Sequence, residues 1–291
     1  MTSGGKIYVA PGTYTLTSAP INLGGGNWAA VGSTSVSNIE LYGAGNSSIL
    51  QLGTNANGAV IGGVNMNHWF IHDLQVNGNR AGQSDSGASP PYLICIFMYD
   101  SSNDLLEHLY IHDCKTYATQ IGPGSGDDIL DSQAANNAAN GFMTYGDSNG
   151  VIEGNTVNGA SDVGIDISGS GTTSTNMLCT GNWVYNVNLG VSPWGLNTGI
   201  GIMAGDNGPT QNVTISNNYI QGARLGIDSD ASPDANANIT ITGNTIVGTT
   251  LYAIYLVDTD GVTVENNTLP PGQTIYESGV TGTVTSNTTT T

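Results

Sequence analysis

Three carboxylates and one guanidinium form the grouping in this chain with the most chemical reach: Asp166, Asp228, Asp230 and Arg224. Two carboxylic acids can divide general-acid and general-base work if their surroundings hold the two pKa values apart. Asp166 and Asp228 occupy the same place in two similar segments, Gly164-Ile-Asp-Ile-Ser168 and Gly226-Ile-Asp-Ser-Asp230. Asp228 and Asp230, two residues apart, would share one face of a strand and are the candidate ligands for Ca²⁺. Arg224 stands just ahead of that strand. It is placed either to neutralise a substrate carboxylate or to make a plain ion pair with Asp162 or Asp228.

These groups can cooperate only if the chain stacks similar segments on one another, and the sequence supplies the stack. Asn155, Asn182, Asn218, Asn244 and Asn267 recur 27, 36, 26 and 23 residues apart, each followed two residues later by an aliphatic side chain. Gln133, Leu109 and Leu74 are read as weaker members of the same column upstream. A second series runs through Ala118–Gly122, Gly141–Tyr145, Gly164–Ser168, Gly199–Met203, Gly226–Asp230 and Ala253–Val257. Its apolar residues alternate with period 2, the mark of a strand with one buried face. Short strands repeating every 22–27 residues, with no helical pattern, predict an all-β, single-domain parallel β-helix over residues 1–285, with a Thr-rich tail at 286–291. A leucine-rich repeat has a similar period but needs far more leucine. The Asn column is then a ladder of side-chain amides along the solenoid axis, a structural feature.

Alternation sends Phe142, Ile165, Ile200, Ile227 and Ile254 inward. The residues one further on form an outward column: Gln120, Met143, Asp166, Gly201, Asp228, Tyr255. The next outward column holds Gly122, Tyr145, Ser168, Met203, Asp230 and Val257. Asp166 and Asp228 are two coils apart, so their backbones should stand roughly 10 Å apart, close to the carboxylate separation of an inverting glycosidase. Two connections are much longer than the others, Asn77 to Tyr92 and Asn186 to Thr198, both at the same corner. They are expected to wall a groove over this face, with Trp194 and the tyrosines offering flat faces to sugar rings.

The chain has 291 residues, 22 acidic against 4 basic, a net charge of −18. A nucleic acid or an anionic membrane surface needs a basic face and is excluded as a partner. No apolar run approaches the roughly 20 residues of a membrane helix. Three cysteines (Cys95, Cys114 and Cys179) show no metal-site spacing, and are read as small core residues. The start looks like that of a mature protein, and sequons at Asn46, Asn212, Asn238, Asn266 and Asn287 suit a secreted or cell-surface location. A monomer and a homotrimer both satisfy the pattern.

Gly4-Gly5-Lys6-Ile7-Tyr8-Val9-Ala10-Pro11-Gly12-Thr13-Tyr14, followed by Ile39-Glu-Leu-Tyr-Gly43-Ala-Gly45, resembles the opening of the pectin-lyase-like superfamily. Ile71-His-Asp-Leu-Gln-Val-Asn-Gly-Asn-Arg80 resembles the catalytic module of alginate C5-epimerases. The resemblance spans nearly the whole chain and implies a right-handed parallel β-helix acting on a polysaccharide as lyase, hydrolase or epimerase, or binding it without cleavage. It also implies that Arg224 can serve as a lyase base. The epimerase catalytic motif falls on Tyr117–Gly122. Its tyrosine is kept as Tyr117, but Gln120 and Gly122 stand where its aspartate and histidine belong. The amphipathic helix that commonly caps such solenoids is not read here, so something outside this sequence is expected to cover the N-terminal coil.

Overall fold

The computed structural model describes residues 4–87, 89–187, 196–203, 208–230 and 236–289. The chain visits three sheets in strict rotation. Val151–Glu153 lies in the first, Thr156–Asn158 in the second and Val163–Ser168 in the third, and Leu178–Thr180 then returns to the first. The sheets hold 13, 11 and 11 strands, paired parallel except for one antiparallel hairpin, Ile21–Gly24 with Asn27–Ser33, at the start of the third. This is the parallel β-helix that the repeat predicts. The last strand of the second sheet is Thr288–Thr289, inside the stretch read as a Thr-rich tail. A 3₁₀ turn at Arg80–Gly82 is the only helical element among the described residues, and no helix there is long and apolar enough to cross a membrane.

Most coils bury at least one aliphatic residue from each sheet. Ile152, Val157 and Ile165 fill one coil, and Ile215, Ile220 and Ile227 another two turns on, all with no solvent exposure. The glycines that open the third-sheet strands follow from close approach. A Cβ at Gly164 or Gly199 would meet the carbonyl oxygen of the next coil's glycine at 2.5 Å, a contact no side chain tolerates.

The ladder sits at the corner between first and second sheets. A residue with positive φ turns the chain, Asn217 (φ 55°) or Asn266 (φ 57°) for example, and the ladder residue follows it. The Asn182 Nδ2 donates to Asn218 Oδ1 (2.9 Å) and to the Ile152 carbonyl (2.9 Å), while its Oδ1 accepts the Asn155 backbone N–H (2.9 Å). The pattern continues through Asn244 and Asn267 to Asn287. Upstream the rung is Ser132, whose Oγ accepts the Leu109 N–H, and not Gln133, which pairs with Thr156 in the second sheet. A serine hydroxyl bridges the rung as an amide does, so the Asn-based pattern slipped by one residue there.

Two further assignments change. Cys95 and Cys114 form a disulfide with Cα atoms 5.6 Å apart, and only Cys179 remains free and buried. Their spacing of 19 residues reveals nothing until the coil length brings the two corners together. Asp127, which an Asp127-Asp128 pair ahead of a strand suggests as a turn former, is buried at the entry to the first sheet with Asp104 and Asp147. The Asp104 carboxylate accepts the Trp69 N–H (2.6 Å) and the Asp127 carboxylate accepts the Asp104 N–H (2.9 Å). Burial raises Asp104 to about 7; burial and then the Asp147 charge raise Asp127; and burial raises Asp147, with hydrogen bonds to Ser148 and Asp127 opposing it.

Two outcomes are expected. Asn182→Ala strands a buried N–H and a buried carbonyl and should cost roughly 2–4 kcal/mol in urea unfolding. Asn158→Ala, at an exposed position, should stay within about 0.5 kcal/mol. Carboxyls whose folded pKa exceeds the unfolded 3.8 hold extra protons in the folded state, so their contribution is complete below that value and fades as pH rises through 7. The urea midpoint should therefore fall between about pH 4 and about pH 8, and Asp147→Asn should flatten that slope.

Candidate functional site

The third sheet positions the site. Register places Phe97, Gln120, Met143, Asp166, Gly201 and Asp228 on successive rungs of one outward column, continued by Tyr255 and Tyr276. The neighbouring column runs Tyr145, Ser168, Met203, Asp230, Val257. Both columns agree with the alternation of the sequence. What differs is their exposure: Asp166 is 6% and Asp228 3% exposed, so these outward acids are enclosed and not solvated.

Over the first half of the column lies a cavity of about 800 Å³. Tyr117, Gln120 and Tyr145, three of the expected substrate-binding residues, line it together with Ser168. The connection after Asn77 forms one wall, as expected, through Pro90 and Tyr92. The other wall is the antiparallel hairpin, through Leu23, Gly24, Gly25 and Asn27. That hairpin was not recognised in the sequence, although Gly24-Gly25-Gly26 (all with positive φ) marks its turn. The Asn27 carboxamide oxygen accepts the Tyr92 N–H (3.0 Å) and ties the two walls together. Trp194 lies outside the described residues. The described end of its connection is anchored, because Leu196 donates its N–H to the Asp162 carboxylate (2.7 Å).

Asp166 stands directly behind the cavity wall. Its Oδ1 accepts from Ser168 Oγ (2.5 Å) and its Oδ2 from Asn140 Nδ2 (2.8 Å). Burial raises its pKa to about 7; the Ser168 bond opposes this, the Asp162 charge adds to it, and the Asn140 bond opposes it again. Asn140 was missed by the sequence reading, since it sits in the corner ahead of a strand and reaches Asp166 only across one coil. Burial raises Asp228 to about 7 as well, helped by Asp230 and Asp166 and opposed by Arg224. Oδ1 of Asp228 has no hydrogen-bond partner among the described residues.

The remaining expected residues lie farther along. Asp230 is exposed, and no third ligand atom from His, Cys, Asp or Glu joins Asp228 and Asp230 within 4.8 Å among the described residues. Arg224 is exposed and makes no ion pair within 4.0 Å with Asp162 or Asp228, so its effect on Asp228 acts through space. Tyr255 stacks on Tyr276 with ring centres 4.9 Å apart and planes 10° apart, one rung beyond Asp228. The two Ile-His-Asp triplets fall in different sheets and share no site. One expected outcome concerns Asp166 directly. Ser168→Ala removes a donor to its carboxylate, so its titration, followed by carboxyl-carbon NMR, should move above about 7.

No curated protein matches the sequence. The family described as the right-handed β-helix region matches residues 194–269. The Azotobacter vinelandii mannuronan C-5 epimerase AlgE6 A-module superposes with a TM-score of 0.62 at 17% identity, over 99% of this chain and 90% of that one. Alginate lyase from Paenibacillus sp. str. FPU-7 gives 0.61 at 17%, over 94% and 91%. Polygalacturonase from Erwinia carotovora ssp. carotovora gives 0.57 at 14%, over 88% and 84%. At these identities the likeness speaks for the fold. With the coil repeat and the three stacked sheets, it shows the fold of a right-handed parallel β-helix.

Proposed function

We propose that this protein is a glycoside hydrolase that cleaves a polysaccharide along the outward face of its third sheet, with Asp166 and Asp228 as the catalytic pair. The observation that carries the reading is two enclosed carboxyls, both raised to about 7, on one column with only Gly201 between them. A group of that pKa exchanges a proton readily at neutral pH. Two rungs of separation suit a water-mediated, inverting displacement. Asp166, held by two donors, takes the base role, and Asp228, whose Oδ1 has no hydrogen-bond partner among the described residues, takes the acid role. Tyr117, Gln120 and Tyr145 then hold sugar residues in the cavity, and Tyr255 extends the surface on the other side of Asp228.

Charge favours a substrate with few carboxylates, since a chain at −18 repels a polyuronate. The disulfide and the sequons suit an oxidising, extracellular setting. A lyase acting on a uronate polymer is the second reading, favoured by Arg224, which is exposed and makes no ion pair with a carboxylate among the described residues. In that reading Ca²⁺ at Asp228 and Asp230 and the guanidinium would share the substrate charge.

Incubation with neutral and uronic polysaccharides, with and without Ca²⁺, separates the readings. Hydrolysis releases reducing ends without unsaturated, ultraviolet-absorbing ones. Asp166→Asn and Asp228→Asn should each then lower kcat at least about 100-fold. The kcat profile should be a bell centred near pH 7. Asp230→Asn should move its basic limb down and Arg224→Gln should move it up, because these charges push Asp228 in opposite directions. Unsaturated ends that vanish in Arg224→Ala would establish the lyase instead. Binding without any new ends would make the protein a glycan-binding module.

A further inference from the structure

At the corner between the first and second sheets, far from the cavity in fold position, Glu107, His108 and Asp131 bring one ligand atom each to within 4.8 Å of one another. We infer that these three side chains form a binding site for a divalent transition-metal ion, clamping two successive coils. The register creates the cluster. Glu107 pairs with His72 behind it and Leu130 ahead of it, so the next residues, Asp73, His108 and Asp131, follow one another up the corner. His108 thus has a carboxylate on the coil below and another on the coil above. Its Nδ1 stands 3.7 Å from Asp73 Oδ1, where that carboxylate can orient the ring.

The turn accepts Asp and His, as at His68, Asp113 and Asp258, but requires neither. All three corner positions have positive φ (52°, 51° and 44°), and higher up the same column Gly154, Gly181, Asn217, Gly243 and Asn266 meet that demand. An imidazole flanked by carboxylates on adjacent rungs adds ligand chemistry that the backbone does not require. The other histidines differ. His72 and His112 are mostly buried, stacked on Phe70 and Tyr110, and each is bonded to the aspartate that follows it. No lysine or arginine makes an ion pair with Glu107 or Asp131 among the described residues, so no cation of the chain competes.

The donor set selects the ion. One nitrogen and two carboxylates suit Mn²⁺, Co²⁺ or Zn²⁺, whereas Ca²⁺ prefers oxygen alone. Glu107 is partly buried and the other two are exposed, so the remaining coordination positions fall to water. A bound ion would tie the coil carrying His108 to the coil carrying Asp131 and raise the unfolding temperature further as the free ion concentration climbs above Kd.

The test uses the full chain, stripped of metal and titrated with Zn²⁺ by calorimetry and with Mn²⁺ by proton NMR of its four histidine rings. One equivalent of Zn²⁺ should bind, and Mn²⁺ should broaden the His108 ring first, that signal being assigned by its loss in His108→Ala. His108→Ala and Asp131→Asn should each weaken Zn²⁺ at least about tenfold. His68→Ala, at another exposed corner, should not. Circular dichroism and the metal-free melting temperature show whether each variant folds. Absence of a one-equivalent event, unchanged affinity in a folded His108→Ala, or Mn²⁺ broadening that begins at His72 or His112 would overturn the inference.

Discussion

Axial hydrogen bonding between stacked coils is the constraint from which the rest follows. Each ladder amide has a donor and an acceptor, and it uses both along the solenoid axis. The Asn218 Oδ1 accepts the Asn182 N–H while its own Nδ2 donates to Asn244 (3.0 Å) and to the Cys179 carbonyl. The ladder residues Asn155, Asn182, Asn218, Asn244 and Asn267 are buried, so any coil that slipped by one residue would strand these groups without water to replace them. Register is thereby pinned at one corner. With the register pinned there, the third sheet stacks in phase as well, and only then do Gln120, Met143, Asp166, Gly201 and Asp228 form a column.

The same stacking explains why the acids are unusual. A parallel sheet repeats every position at about 4.8 Å, so a carboxylate in one coil meets whatever its neighbour carries at that position. In the interior this creates the Asp104, Asp127 and Asp147 group, where like charges and burial act together. On the outward face it sets Asp228 within the influence of Asp230 and Asp166, with Arg224 opposing them. Gly201, between the two candidate catalytic acids, carries no side chain of its own, and the Met203 side chain fills the place, its Cε 2.6 Å from where a Cβ would stand. Walls that are not part of the repeat enclose the cavity over the first half of that column: the hairpin at Ile21–Ser33 and the connection bearing Tyr92. Repeat and insertion thus divide the work, the first fixing spacing and the second excluding water.

Chemistry at the first corner obeys the same geometry with a different outcome. There the column needs positive φ, and wherever Gly or Asn provides it the corner is inert. Three neighbouring coils carry Asp73, His108 and Asp131 instead, and the rung spacing brings His108 and Asp131 together with Glu107 into one cluster across two coils. A β-helix therefore makes sites by column, and the identity of a column matters more than distance along the chain.

The sequence by itself determined the coil. Period-2 alternation named Phe142, Ile165, Ile200, Ile227 and Ile254 as core, and all five are fully buried. The Asn spacing set the ladder from Asn155 to Asn267 and the outward columns that contain Asp166, Asp228 and Tyr255. These were legible because alternation and repeat length are local properties, visible wherever a coil carries them. Where the pattern residue changed type, at Ser132, the reading slipped, because a hydroxyl can serve the ladder without resembling an amide. Only the tertiary structure decided what depends on coils of unequal length meeting in space. It joined Cys95 to Cys114, brought Asn140 to Asp166, folded the hairpin against Tyr92, and enclosed two carboxyls that alternation places on the outside. Burial of an outward face, and with it the pKa of Asp166 and Asp228, is set by what lies across from it, and no repeat within the sheet encodes that.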